Sequence, residues 1–164
     1  MTAISPAREA PVLVLEDWEV RIGKGAWVAD WPRYDLGMRM VLLLHELPDG
    51  SAHFDWMIQR PQAGRGLITF RVSARIDLLE QGSFRAQRLA DHREVYLSVE
   101  GPVSGGRGTV TRLAQGEATL VQEGDGTLNV AGLLGVAGQW RGQSDKEGWV
   151  FRFMGRSTPR NANP

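Results

Sequence analysis

The chain has three histidines, and each stands beside another ionisable group: His45-Glu46, His53-Phe54-Asp55 and Asp91-His92. Around the second, the run His53-Phe54-Asp55-Trp56-Met57-Ile58-Gln59 alternates. Side chains of an extended strand point to opposite faces in turn, so His53, Asp55, Met57 and Gln59 share one face and Phe54, Trp56 and Ile58 take the other. The aromatic face is the core side, and the His53/Asp55 face is left to solvent or to a polar groove. Imidazole nitrogen with carboxylate oxygen is a donor set for Mn²⁺, Fe²⁺ or Zn²⁺, and a further histidine is the usual third ligand. His45 ends the preceding apolar run and is joined to His53 through Pro48-Asp49-Gly50, so an antiparallel hairpin would return it close to His53. A His-x-Asp pair alone also occurs as a hydrogen-bonded surface couple.

The third histidine opens a second run, His92-Arg93-Glu94-Val95-Tyr96-Leu97-Ser98-Val99-Glu100. Read as a strand, it places His92, Glu94, Tyr96, Ser98 and Glu100 opposite Val95, Leu97 and Val99. It is followed by Gly101-Pro102-Val103-Ser104-Gly105-Gly106-Arg107-Gly108-Thr109. Such a Gly-rich connection can present backbone N–H groups to an anion, with Arg107 adding charge. It equally suits a hairpin loop with special backbone angles, and it is not a P-loop, because no Lys-Ser or Lys-Thr follows.

The elements that must position these residues are short period-two runs punctuated by Gly, Pro, Asp and Asn, which is an all-β pattern. Strands are expected at residues 11–15, 39–45, 53–60, 66–72, 92–100, 108–113, 117–122, 127–131, 138–141 and 149–154. Turns are expected at Pro48-Asp49-Gly50, Gly105-Gly106, Gln115-Gly116 and Gly124-Asp125-Gly126. Residues 76–90 alternate less cleanly, and Ile76, Leu78, Leu79 and Phe84 suit one short helical turn or an irregular loop. So many short strands must hide their edges, and the expected fold is a small closed or partly open β-barrel of mainly antiparallel strands with at most one short helix. Trp18, Trp27 and Trp31 suit an aromatic layer capping it, or less simply a base-stacking platform. Residues 1–10 and 155–164 read as flexible tails around a single domain at 11–154.

At 164 residues, with 42% hydrophobic and 23% charged residues, the chain is sized for one globular core. A formal net charge of +0 argues against coating nucleic acid through bulk electrostatics, though a local basic patch is compatible with it. Lys24 and Lys146 are the only lysines, so arginine carries nearly all the positive charge. Without cysteine there is no disulfide framework, zinc knuckle or thiol nucleophile. No apolar run is long enough to cross a bilayer, and residues 1–10 lack an apolar signal core, so a cytoplasmic protein with no membrane partner is expected.

Taken together, His45, His53-Phe54-Asp55, Asp91-His92 with Tyr96, Glu100-Gly101-Pro102 and Gly105-Gly106-Arg107-Gly108-Thr109-Val110 form a spaced set. It resembles the 3′-phosphoesterase domain of bacterial DNA ligase D, and more narrowly the stand-alone relatives of that domain. The similarity runs from about residue 42 to 153, ending in Trp149-Val150-Phe151-Arg152-Phe153. The resemblance implies a compact barrel in which a divalent metal, typically Mn²⁺, supports removal of a 3′-terminal ribonucleoside and then of the remaining 3′-phosphate. It implies metal ligation by His45, His53 and Asp55, and contact of His92 and Tyr96 with the scissile phosphate. Phosphate-gripping arginines are expected among Arg85, Arg88 and Arg107. It also implies nucleic-acid 3′ ends as partners, with separate repair ligases or polymerases acting alongside.

Three departures stand beside it. The family pattern His-x-Asp-x-Arg ends here in Met57, the interval from His45 to His53 is longer, and Arg85 and Arg88 are out of register with the family's arginine. The leading expectation is therefore a metal-dependent 3′-end phosphoesterase. Its rival is a non-catalytic barrel that binds nucleic-acid ends or protein, and an arginine restored at position 57 is expected to separate the two. A small-molecule-binding barrel would explain the tryptophans but not the histidines.

Overall fold

The computed structural model describes residues 38–62, 64–122, 125–134 and 136–155. The strand expected at 11–15, the Trp18/Trp27/Trp31 layer and both expected tails, apart from Gly155, lie outside the described residues. Nine strands follow in order: β1 Met38–Glu46, β2 Ala52–Gln59, β3 Leu67–Val72, β4 Ser83–His92, β5 Gly101–Pro102, β6 Thr109–Gln122, β7 Leu128–Leu134, β8 Val136–Asp145 and β9 Gly148–Gly155. They hydrogen-bond antiparallel in the order β1-β2-β3-β4-β9-β8-β7-β6-β5, and β1 also pairs with β6. That last ladder closes an eight-stranded antiparallel barrel, with β5 as a short appendage. The expected all-β barrel is the observed fold, and closure leaves its eight strands no free edge.

The inward positions alternate along each strand as the pattern required. Met40 and Leu42 of β1, Trp56 and Ile58 of β2, and Phe70 of β3 are fully buried in one cluster with Trp140 and Phe151. Trp56 lies at its centre, with ring centroids 5.2 Å from Phe151, 5.7 Å from Trp140 and 6.1 Å from Phe70 and Phe84. Edge-to-face and tilted pairs of this kind each contribute about 0.5–1.5 kcal/mol beyond their burial. Gly142 makes room for the packing, because a Cβ there would come 2.3 Å from the Phe151 ring.

The outer wall carries a second apolar cluster: Val41 and Leu43 of β1, Met57 of β2, Leu67 of β3, and Val110 of β6, covered by Leu97 and Val103 with Tyr96 and Val99 against them. The segment between β4 and β6 is thus a strap across β1–β3. It is tied down by the Glu94 carboxylate accepting from Gly64 N–H and by Glu100 accepting from Arg112 N–H. Burial on both faces explains why β1 reads as a near-continuous apolar run.

The strap corrects one expectation. Residues 92–100 are not a strand: β4 ends at His92, and Glu94–Leu97 form a 3-10 turn. Apolar and polar residues alternate there, but a turn with three residues per cycle buries Leu97 and leaves Val95 49% exposed, splitting the expected apolar face. Residues 76–90 hold the expected helical turn at Ile76–Leu78, but from Ser83 they belong to barrel strand β4. The turn expected at Gln115-Gly116 is absent. Both lie inside the continuous 14-residue β6, which bends where its register with β1 shifts between Leu42 and Leu43.

Candidate metal centre

The β1–β2 hairpin sets the site. Its loop is held by Leu47 N–H to Ser51 O at 2.8 Å, Gly50 N–H to Leu47 O at 3.0 Å, and the Asp49 carboxylate accepting from Ser51 N–H and Oγ–H at 2.9 and 2.6 Å. Those hydrogen bonds hold the Asp49 carboxyl below the usual carboxylate range. This loop fixes a register in which His45 pairs with His53 and Leu43 with Asp55. A slip of one residue would turn His53 and Asp55 to the aromatic interior. The longer interval between the histidines therefore lengthens the loop without separating them.

Both rings and the carboxylate point outward at the end of the strap-covered wall. The His45 and His53 centroids lie 4.9 Å apart. Asp55 Oδ2 is 3.2 Å from His53 Nε2 and 3.9 Å from His45 Nδ1, and one donor atom from each residue falls within a 4.8 Å group. Asp55 is only 4% exposed, and its Oδ1 has no hydrogen-bond partner. Among the described residues this is the one such His/Asp/Glu cluster.

The neighbours of the two rings bear on which nitrogens carry protons. His45 Nε2 lies 2.7 Å from the Arg107 carbonyl, which can only accept, so Nε2 is a donor and Nδ1 is the nitrogen turned toward Asp55. His53 Nε2 lies between an Arg71 guanidinium nitrogen at 3.0 Å, which can only donate, and Asp55 Oδ2 at 3.2 Å, which can only accept, so the two neighbours compete for that nitrogen. Burial pushes the His53 pKa down; Asp55 opposes this, Arg71 and His45 reinforce it, and the net result is a neutral ring at neutral pH. Two ring nitrogens thus stand beside a buried carboxylate oxygen. Ligand atoms about 2.1 Å from one ion stand no more than about 4.2 Å apart, which accommodates both spacings to Asp55, whereas the 4.8 Å span of the whole group would have to close slightly around an ion. The donor set would fit a divalent cation, and the Arg107 carbonyl orients His45 from outside the cluster.

The remaining expected residues are placed differently. His92 pairs with Leu67 whereas Asp55 pairs with Arg71, a separation of roughly 13 Å along β3 at the usual rise per residue. His92 Nδ1 donates to the Ala90 carbonyl at 2.9 Å, and its ring meets Tyr96 edge-on at 5.4 Å. Tyr96 in turn packs on the cluster containing Met57 and Leu43, so His92 and Tyr96 form a pair on the same wall but outside the three-residue group. Arg85 is engaged by Asp145 at 3.3 Å and Glu147 at 3.1 Å. Arg88 bonds Asp91 and the Thr69 and Leu89 carbonyls and lies over the Phe70 ring. Arg107 turns its guanidinium to Ser104 and reaches the site through its carbonyl instead.

Position 57 is not an open place for a cation: Met57 is 2% exposed beneath the strap. The arginine at the site is Arg71, directly across the β2–β3 ladder from Asp55. Sequence reasoning passed over it, although alternation in residues 66–72 puts it on the face opposite Ile68, Phe70 and Val72.

The class defined by fold and site is a closed antiparallel β-barrel with a His-His-Asp cluster on its outer wall. No protein-family model matches the chain, and no curated protein matches it either.

Proposed function

We propose that the chain is a divalent-metal-dependent phosphoesterase acting on 3′ ends of nucleic acid. The observation that carries this reading is the grouping of His45 Nδ1, His53 Nε2 and Asp55 Oδ2 on one patch of the barrel wall. Mn²⁺ suits two imidazoles and a carboxylate, with Zn²⁺ or another transition metal as the alternative. A divalent ion held there supplies Lewis-acid polarisation of a phosphoryl oxygen. His45 and His53 would hold such an ion through ring nitrogens and Asp55 through its carboxylate. The spaced likeness to the ligase D phosphoesterase domain supplies the substrate class.

The test is incubation with Mn²⁺ and oligonucleotides ending in a 3′-ribonucleotide or a 3′-phosphate. The expected result is a 3′-hydroxyl product that His53→Ala abolishes. If wild type and variant both leave the ends intact, the phosphoesterase reading is wrong. The reading from a different class, a non-catalytic module that binds nucleic-acid ends or protein, is favoured by one observation: Arg85 and Arg88 are committed to intramolecular acceptors. It predicts metal-dependent binding of the same ends without product.

A further inference from the structure

The outer wall holds a residue that neither the spacing of the motif nor the likeness to ligase D assigns. Arg71 stands across the ladder from Asp55. One guanidinium nitrogen is 3.0 Å from His53 Nε2, and Nε is 3.7 Å from Asp55 Oδ1. It is the one cationic side chain with a contact to the cluster of three among the described residues, and its own side chain is 43% exposed. The side chain at 57 cannot take this role, being buried under Leu97 and Tyr96.

Two features of the geometry bear on what Arg71 does. Its contact with His53 uses the same ring nitrogen whose lone pair a metal would need, so guanidinium and ion compete for one atom. Its contact with Asp55 uses Oδ1, whereas the histidine nitrogens approach Oδ2. Occupation of the Oδ2 side by a cation therefore releases the guanidinium from His53 without removing its anchor on Asp55. The released donors then lie beside the ion on the solvent side, where a second positive centre is useful only to an anionic ligand. A planar guanidinium with paired donors matches two oxygens of a tetrahedral oxyanion.

We propose that Arg71 is an exchangeable clamp: it holds His53 Nε2 until a divalent ion takes that nitrogen, and then grips the phosphate group of the ligand bound at the ion. This rests on the metal-site reading above and deepens it, since it assigns the site a preference for phosphate esters over neutral ligands. It makes metal and phosphate binding respond oppositely to one substitution, which a purely structural Asp55–Arg71 ion pair would not.

The experiment is calorimetric titration of the whole chain, first with Mn²⁺ alone and then with inorganic phosphate added to the Mn²⁺-loaded protein. It compares wild type, Arg71→Gln and Arg71→Lys, with circular dichroism confirming the fold of each. Arg71→Gln is expected to bind Mn²⁺ as tightly as wild type or more tightly, and to lose on the order of tenfold or more in phosphate affinity. Arg71→Lys is expected to recover part of that loss, having the charge without the fork. Weaker Mn²⁺ binding in Arg71→Gln, or unchanged phosphate affinity, overturns the clamp. If a variant does not fold, wild type decides: phosphate affinity that is the same with and without Mn²⁺ overturns it, and a gain on Mn²⁺ loading supports it. Phosphate binding that depends on Arg71 without any end processing leaves the clamp standing and removes the enzyme; end processing indifferent to Arg71→Gln does the reverse.

Discussion

His45 and His53 are directly opposed residues of one antiparallel hairpin, with ring centroids 4.9 Å apart at an interplanar angle of 66°. Each ring is held by a different partner, a backbone carbonyl for His45 and a guanidinium for His53. The site is therefore oriented from outside its own three residues, by the Arg107 carbonyl and the Arg71 guanidinium.

His53→Ala and Asp55→Asn should each weaken Mn²⁺ binding by at least about tenfold, because a three-donor site that loses one ligand or its charge forfeits much of its affinity. Both side chains lie on the outer wall, so the far-ultraviolet circular dichroism should stay that of the barrel. Isothermal titration with Mn²⁺ is the measurement, and affinity unchanged in both variants would remove the metal site.

Position 57 should reject an arginine. Met57→Arg places an unpaired guanidinium under the strap and should cost about 3 kcal/mol or more, whereas Met57→Leu conserves volume and should cost less than about 1.5 kcal/mol. Urea denaturation would show the difference as a lowered midpoint for Met57→Arg alone. An arginine placed at 57 to separate catalyst from binder therefore reads stability rather than activity.

The loop behind His45 is equally specific. Gly108 has φ +95, and a Cβ there would sit 1.9 Å from the Glu46 carbonyl oxygen, so Gly108→Ala must displace the loop that offers the Arg107 carbonyl to His45. Expected are a stability loss of about 2–3 kcal/mol and weaker Mn²⁺ binding. Gly106→Ala is the control: φ is +65 and nothing lies within 4 Å, so it should cost about 1 kcal/mol and leave Mn²⁺ affinity unchanged.

Stability of the metal-free protein should fall on acidification through a window set by His53. Its folded pKa is below its ordinary value, so between about 6.5 and that lower value the unfolded chain binds the proton first. Stability contributed by the neutral ring is present above that window and lost as pH falls through it. Mn²⁺ affinity, which also needs the neutral ring, should hold to a lower pH than an ordinary histidine would allow. Urea midpoints of wild type and His53→Gln from pH 7.5 to 5 should differ in slope, and parallel profiles would refute the assignment.

Asp91 should act at lower pH. Burial works to raise its pKa, but the hydrogen bonds and charges of Arg88 and Arg60 outweigh it and hold the carboxyl below the usual range. Its contribution is present above about pH 4 and lost below, as the carboxylate protonates through its depressed pKa. Asp91→Asn should flatten the acid limb of the stability profile, measured by urea denaturation between pH 5 and 3.

The local half of the site was legible because a strand's period is two. In residues 53–59 the aromatic face could only be the core, which sent His53 and Asp55 outward together, and Pro48-Asp49-Gly50 announced the turn that returns His45. Residues 92–100 failed by the same rule, since alternation over a few residues does not distinguish a strand from a 3-10 turn under which one apolar residue is buried. Gln115-Gly116 failed for a related reason: a glycine that marks a turn in an isolated hairpin is carried through by β6 when β1 pairs with the residues before and after it.

The sequence by itself determined an all-β chain whose two nearest histidines and one aspartate share a strand face, because periodicity and turn chemistry act between neighbours. Only the tertiary structure decided that β6 closes on β1, that a strap buries Met57, and that Arg71 rather than a motif arginine meets the cluster. Those outcomes depend on register between strands whose connections leave the pairing open, and register is fixed by the packing of the whole barrel rather than by any one segment.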